Sequence, residues 1–392
     1  MNKLLRSGIL TLSCGLLSLG GYAQKPITSS FDRPIQRTPS PTSDNTRIQV
    51  AILLDTSNSM DGLIEQAKSR LWNIINTLST LRYGGRTPMI EIALYEYGNS
   101  GLSASNGYIR QVVPLSTDLD LISEHLFGLR TNGGEEFCGA VIQKATQELE
   151  WTNRSNDIKL IYIAGNEPFD QGRVPYTSAL SNSVGKGIST TTIYCGDYQE
   201  GINGKWKMGA AKGNGKYFNI NSDRKVQFIE TPYDDQIDAY NTRLNDTYIG
   251  YGSTGSSKKE MQRRQDANAG TMSKANAVER SVSKSKSAYT NSSWDLVDYE
   301  KANPGAIEKV DKSTLPAEYK NKSTAEIKVA VKKKQEERES YQKKIGELAK
   351  QRQEYIDKKQ KETSGNEADD LGTAINNSIL ELAKVKGYSI SK

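Results

Sequence analysis

The sequence predicts a doubly wound, mostly parallel α/β domain with a C-terminal α-helical extension. Three observations carry this expectation. Apolar runs of strand length alternate with amphipathic stretches of helix length over residues 47–222. The first run, Ile48-Gln49-Val50-Ala51-Ile52-Leu53-Leu54, is nearly continuous, as a strand buried on both faces requires. Beyond about residue 222 the strand-like runs give way to polar sequence and then to long helical stripes.

The N-terminal segment reads as an export signal. Lys3 and Arg6 form a basic start, residues 9–19 an apolar stretch, and Gly21-Tyr22-Ala23 a small-residue cleavage site, with cleavage expected after Ala23. The mature protein is then periplasmic or secreted. Cys14 offers a lipidation alternative, but Thr11-Leu12-Ser13 is a poor context for it and the apolar run continues beyond. That run is too short for an ordinary spanning helix. No later segment is long and apolar enough, so the mature chain is expected to carry no transmembrane segment. Residues 24–46, rich in Ser, Thr and Pro, read as a disordered linker.

Within 47–222 the first strand is followed by a helix over 63–81, with Leu63, Ala67, Leu71, Ile74 and Leu78 on one face. Strands are expected at 89–97 and 108–115, helices at 119–129 and 137–149, and a strand at 159–164. A helix at 176–184, a strand at 190–194, a short helix at 206–211 and a strand at 216–220 complete the alternation. The first strand should be central. Sheets of this kind bind ligands outside the carboxyl ends of their strands, which directs attention to the loop after the first one.

Residues 223–323 are polar and read as helical or irregular, with an aromatic cluster of Tyr248, Tyr251, Tyr289 and Trp294 packed near the core. Residues 324–392 are helical. Ile327, Val331, Tyr341, Ile345, Leu348 and Tyr355 recur at three- and four-residue steps, interrupted by Arg338 and Arg352. After a break at 363–366, Leu371, Ile375, Ile379 and Leu382 form a second stripe. A helical hairpin or a short coiled coil, with a coiled-coil partner as one use for it, is the expectation. Charge runs such as Lys332-Lys333-Lys334 and Glu336-Glu337 read as a solvated face.

Composition excludes several function classes. A net charge of +6 on 392 residues is small and does not point to nucleic acid. The single histidine, His125, and three cysteines leave little for a catalytic histidine or a zinc cage. His125 lies away from any Ser or Cys motif and reads as a packing or surface residue. No nucleophile elbow or phosphate-binding glycine loop is found. The chain is not expected to be an enzyme.

The strongest motif follows the first strand. Asp55-Thr56-Ser57-Asn58-Ser59 has the form D-x-S-x-S. One carboxylate and two hydroxyls are hard oxygen donors that suit Mg²⁺, Mn²⁺ or Ca²⁺. On this motif and its place in the α/β alternation, residues 47–222 resemble the von Willebrand factor A domain with its metal-ion-dependent adhesion site, in an exported bacterial form. The resemblance implies that a later threonine adds a ligand, and Thr131 in Thr131-Asn132-Gly133-Gly134-Glu135-Glu136 fits that place. It also implies an aspartate after the fourth strand, supporting the ion through water, and a partner carboxylate that completes the coordination.

Here the chain departs from the pattern. Ala164-Gly165-Asn166-Glu167-Pro168 has Gly165 where the aspartate is expected, leaving Asn166, Glu167 or Asp170 as water-mediated support. Losing one anionic group weakens the expected cation affinity. The alternative is that Asp55, Ser57 and Ser59 only shape a turn.

Glu135, Glu136, Glu167 and Asp170 could pair as in glycoside hydrolysis. Solvated loop charges, with Glu135 and Glu136 favoured ahead of a helix, are the preferred reading. Cys138 and Cys195 remain after export into an oxidising compartment, and a disulfide between them is expected. The sequence thus points to an exported binding protein making a weak, divalent-cation-dependent contact with a protein or glycan ligand that offers a carboxylate. A structural envelope protein with a decayed metal site and a hydrolase using the loop carboxylates are the alternatives.

Overall fold

The structure is a computed structural model that describes residues 46–60, 63–220, 229–363 and 371–390. The expected export signal, Cys14 and the linker up to residue 45 lie outside the described residues.

The chain begins with β1 (Arg47–Asp55), α1 (Leu63–Ser79), β2 (Leu81–Arg82), β3 (Met89–Tyr97), β4 (Ile109–Ser116), α2 (Leu119–Gly128) and α3 (Cys138–Glu148). It continues with β5 (Ile158–Gly165), α4 (Tyr176–Gly185), β6 (Ser189–Cys195), α5 (Tyr198–Asn203), α6 (Trp206–Lys212) and β7 (Asn214–Ile220). The main sheet has six strands in the order β4-β3-β1-β5-β6-β7, with only β4 antiparallel to its neighbour. β1 is central, which explains its two-sided apolar sequence.

Register sets the site. Asp55 pairs with Tyr97 on one side, Leu54 with Ala164 on the other, and Gly165 with Tyr194. The carboxyl ends of four adjacent strands therefore present Tyr97, Asp55, Gly165 and Tyr194 as a row. One face of the sheet buries Ala51, Leu53, Tyr95, Tyr97, Ile161 and Ile163 against Val141 and Ile142 of α3, Leu180 of α4 and Trp206 of α6. Removing so much apolar surface from water is the main stabilising term of the domain. Tyr162 points the other way.

The C-terminal part is helical: α7 (Asp234–Asn245), α8 (Gly255–Met272), α9 (Lys274–Lys284), α10 (Leu296–Ala302), α11 (Ala317–Lys320), α12 (Thr324–Thr363) and α13 (Leu371–Val385), ending in β8 (Ser389–Ile390). It packs directly on the α/β part. Arg280 of α9 is buried, pairs with Asp120 of α2 at 2.8 Å and Asp266 of α8 at 2.6 Å, and lies 4.8 Å over the Trp72 ring of α1. Lys284 joins Asp266 at 2.8 Å. Four helices are thereby tied by one buried charge cluster, which is sustained only because its members satisfy one another.

The two arginines that interrupt the apolar stripe of α12 are its anchors. Arg338 is buried, reaches Asp295 and Asp298 at 2.7 Å each, and stacks 3.9 Å over Tyr248. Arg352 pairs with Asp234 at 3.0 Å and Glu279 at 3.2 Å. Between and before them, Ile327, Val331 and Ile345 are buried, the first two in a second core with Ile249, Leu296 and Ile307. Of the expected aromatic cluster, Tyr248 stacks on Trp294, Tyr251 on Tyr299, and the Tyr289 hydroxyl donates to Asp120. α12 lies against α7, α9 and α10, whereas α13 lies against α1 and β7. Ile375, Ile379 and Ala383 of α13 are buried, and Thr77 of α1 donates to Asn376 at 2.6 Å. β8 closes an antiparallel pair with β2, Leu81 opposite Ile390.

Candidate functional site

β1 delivers Asp55 to the carboxyl edge of the sheet. The loop beyond it is fixed from both sides: Thr56 N donates to Tyr97 O at 2.9 Å, and Asn132 N donates to Thr56 O at 3.0 Å. A 3-10 turn at Asn58–Met60 follows, with Met60 N donating to Ser57 O and the Met60 side chain buried below.

Asp55 is fully buried and its two oxygens differ in what they do. Oδ1 accepts the Ser57 backbone N–H at 2.8 Å, the turn-forming role that aspartate often takes. Oδ2 is buried without a hydrogen-bond partner. In the same loop the Ser57 and Ser59 hydroxyl oxygens lie 2.8 Å apart and Ser59 donates to Asn166 Oδ1 at 2.9 Å, while Oδ2 itself faces residue 165, 3.1 Å from where a Cβ on Gly165 would lie. Ser57 is buried and Ser59 exposed, so the group runs from a desolvated floor to a solvent-facing mouth. An orphaned buried carboxylate oxygen is costly unless something charged or hydrogen-bonding meets it.

Glu136, read from sequence as a solvated charge ahead of a helix, is only 6% exposed. Its carboxylate lies near the Ser57 hydroxyl. Gly98 (φ +79°) separates it from Asp55: a Cβ there would fall 2.7 Å from Asp55 Oδ1 and 2.8 Å from Glu136 Cγ. Glycine at this turn supplies both the left-handed backbone and the room for two carboxylates to approach. Glu135, its neighbour, is exposed as expected. The sequence carried no signal separating the two.

The electrostatics follow from this crowding. Burial pushes Asp55 up to about 7, opposed by its hydrogen bonds from Ser57 and reinforced by the charges of Glu136 and Glu167. Burial likewise raises Glu136, against the pull of the Ser57 hydrogen bond and with Glu167 and Glu135 adding to it. No group of three His, Cys, Asp or Glu residues arranged as a metal cage occurs among the described residues. The donors at this loop are carboxylate, hydroxyl and amide oxygens, a set that fits a hard divalent cation and not a soft one.

The remaining expected site residues are placed as follows. Thr131 is half-buried in the loop that Asn132 ties to Thr56, and this loop also accepts Ser100 N–H through its carbonyls. Asn166 joins the group through Ser59. Glu167 is half-buried, accepts from Gln171 at 3.3 Å, and its carbonyl takes the Trp206 indole N–H at 2.8 Å. Asp170 is exposed and pairs with Lys205 at 2.6 Å, which holds its carboxyl below the usual value. A cleft of about 380 Å³ opens beside Asn166, bordered by Asp170, Tyr194, Glu200 and Lys205. His125 lies on α2, its pKa lowered by burial and by the nearby charges of Arg110 and Lys258.

The expected disulfide is not formed. Cys138 and Cys195 are both free and buried. Each thiol has its own polar neighbour: Cys138 Sγ lies 3.7 Å from the Tyr97 hydroxyl, and Cys195 donates to Ile193 O within its own strand at 3.9 Å. Burial pushes both thiols well above the ordinary cysteine value, so they are inert groups of the core.

The sequence matches no family model and no curated protein. Among solved structures it is similar to BatB, a conserved hypothetical protein from Bacteroides thetaiotaomicron, at 16% identity and a TM-score of 0.34, over 44% of this chain and 90% of that one. It is similar to the VWA domain of SpRpn10 at 13% identity and a TM-score of 0.34, over 46% and 91% of the two chains. It is also similar to proximal thread matrix protein 1 from the mussel byssus, whose structure has a zinc-occupied MIDAS motif, at 13% identity and a TM-score of 0.33, over 46% and 43%.

Proposed function

We propose that this is an exported binding protein that presents a divalent cation, held by the Asp55 loop, to a carboxylate on a protein or glycan ligand. It acts by binding and not by catalysis. The observation that carries the reading is the fully buried, unpartnered Oδ2 of Asp55 in the same loop as the paired Ser57 and Ser59 hydroxyls. Asp55, Ser57 and Ser59 would hold Mg²⁺, Mn²⁺ or Ca²⁺ through oxygen, Thr131 would add a hydroxyl, and Asn166, already bonded to Ser59, would support the ion through water. The cation would supply a positive centre in a pocket whose own charges are negative, and the ligand's carboxylate would complete its shell. Among the described residues no helix is long and apolar enough to cross a membrane.

Two measurements test this. Mg²⁺ and Mn²⁺ are titrated calorimetrically into chelator-stripped protein and into Asp55→Asn and Ser57→Ala variants. Partner capture from envelope extract is run with and without chelator. Heats lost in both variants, and capture lost with chelator, are the expected results. Identical heats in all three proteins would leave the loop as a turn and nothing more.

A further inference from the structure

We propose that Glu136 is the second anionic group of the cation site, reaching the ion from the start of α3 and standing in for the carboxylate that residue 165 does not provide. This rests on the cation reading of the Asp55 loop and deepens it.

Hydrogen-bond donors are scarce around Asp55. Each serine hydroxyl has one proton and accepts through its oxygen. Ser59 spends its proton on Asn166 Oδ1. Ser57 has one proton for three oxygen neighbours: Asp55, Ser59 and Glu136. Asp55 Oδ2 receives none, although it is fully buried. The group is rich in acceptors and short of donors, so something positively charged is needed to complete it. A lone turn-forming aspartate would show no such surplus.

Glu136 is drawn into this group and is not merely near it. It is 6% exposed while Glu135 beside it faces solvent. Its Cγ and Asp55 Oδ1 crowd the same Cβ position on Gly98. A carboxylate with access to water has no electrostatic reason to turn inward onto another carboxylate. A shared cation supplies one. Glu167 differs: it also acts on Asp55 at a distance, but its carboxylate is half-buried and engaged by Gln171.

The position of the second charge also follows from packing. At the end of β5 the space in front of residue 165 is taken by the Tyr97 hydroxyl, by Asp55 Oδ2 and by Trp206. On the opposite flank, Gly98 leaves room. The anionic support thus comes from the loop between α2 and α3 and not from β5.

The test uses the full chain, stripped with chelator, as wild type, Glu136→Gln, Glu167→Gln and Asp55→Asn. It reads Mn²⁺ and Mg²⁺ affinity by calorimetry and melting temperature in chelator. Glutamine keeps the shape of Glu136 and removes its charge. The expected result for Glu136→Gln is a split: cation affinity weakened about tenfold or more, with a melting temperature in chelator equal to or above wild type, because a buried like-charge contact is gone. Glu167→Gln is expected to bind the cation as wild type does. Wild-type affinity in Glu136→Gln, with binding abolished in Asp55→Asn, would overturn the role of Glu136 and leave the cation site standing. A wild-type chain that binds neither ion would overturn the cation reading itself, and this inference with it.

Discussion

The Tyr97 hydroxyl occupies the space that any side chain on residue 165 would need: a Cβ built on Gly165 would lie 2.5 Å from it. Tyr97 is fully buried and donates to Ala164 O at 3.0 Å, so its ring reaches across β1 and is held in place by β5. The sequence shows only a missing aspartate. The fold shows that β3 has filled the position that such an aspartate would take.

Gly165→Asp is therefore expected to destabilise the protein by about 1–3 kcal/mol, the usual range for overpacking a core, and not to restore a tighter site. Denaturant unfolding measures it. Tyr97→Phe removes the obstructing oxygen, so the double variant should recover part of the loss. Strict additivity of the two substitutions would show that the contact is not the cause.

Arg338→Ala is expected to cost about 3–5 kcal/mol, because it strands the buried carboxylate of Asp295 and the half-buried one of Asp298 without a counter-charge. Arg338→Lys should not restore the full value, since an ammonium that meets the carboxylates as Nη1 does cannot also donate to the Thr247 hydroxyl and carbonyl as Nε and Nη2 do, nor stack over Tyr248 in the same way. Urea titration of the three proteins at neutral pH is the check. A lysine variant as stable as wild type would mean that charge alone is needed.

Acid should probe Asp266. Burial alone would raise its carboxyl, but Lys284 and Arg280 outweigh burial and hold it well below the ordinary range. A carboxyl depressed in the folded state stabilises fully above its unfolded value, about 3.9. That contribution drains away as the pH falls from there toward the folded value. Asp266→Asn should thus lower stability at neutral pH and flatten its fall below about pH 4. Equilibrium unfolding from pH 7 to pH 2 follows this, and a parallel downward shift at every pH would contradict it.

Cys138 and Cys195 should resist alkylation in the native protein and react together once it is unfolded, without reductant. Intact-mass measurement after treatment in denaturant is expected to show an adduct on each of these two cysteines. Neither cysteine modified in unreduced, denatured protein would indicate a bond between them.

Much of the architecture was legible because two-sided burial leaves a continuous apolar run, as in Ile48 to Leu54, and because helices carry their own period. The Asp55 loop was legible because its residues are adjacent in the chain. Glu136 was not. Ahead of a helix, a solvated glutamate and a buried one look the same in sequence, and only the approach of Gly98 tells them apart. Arg338 and Arg352 were visible as breaks in a stripe, but a break does not say that the charge is satisfied inside. The two thiols suggested a disulfide from their compartment and number. Their distance from each other's bonding partners is a property of the folded sheet.

The docking of α13 and β8 has a consequence for the order in which the molecule can be built. Thr77 and Asn376 are 299 residues apart in sequence yet share a hydrogen bond, and Leu81 pairs with Ile390. During synthesis, the flank of α1 and β7 that α13 covers stays open until residues 371–385 emerge. Contacts of such long range slow folding and lengthen the time for which apolar surface is exposed to other chains. The α/β part can collapse early, but this flank is covered only when α13 and β8 arrive. A nascent or truncated chain lacking α13 and β8 is the form most in need of a chaperone.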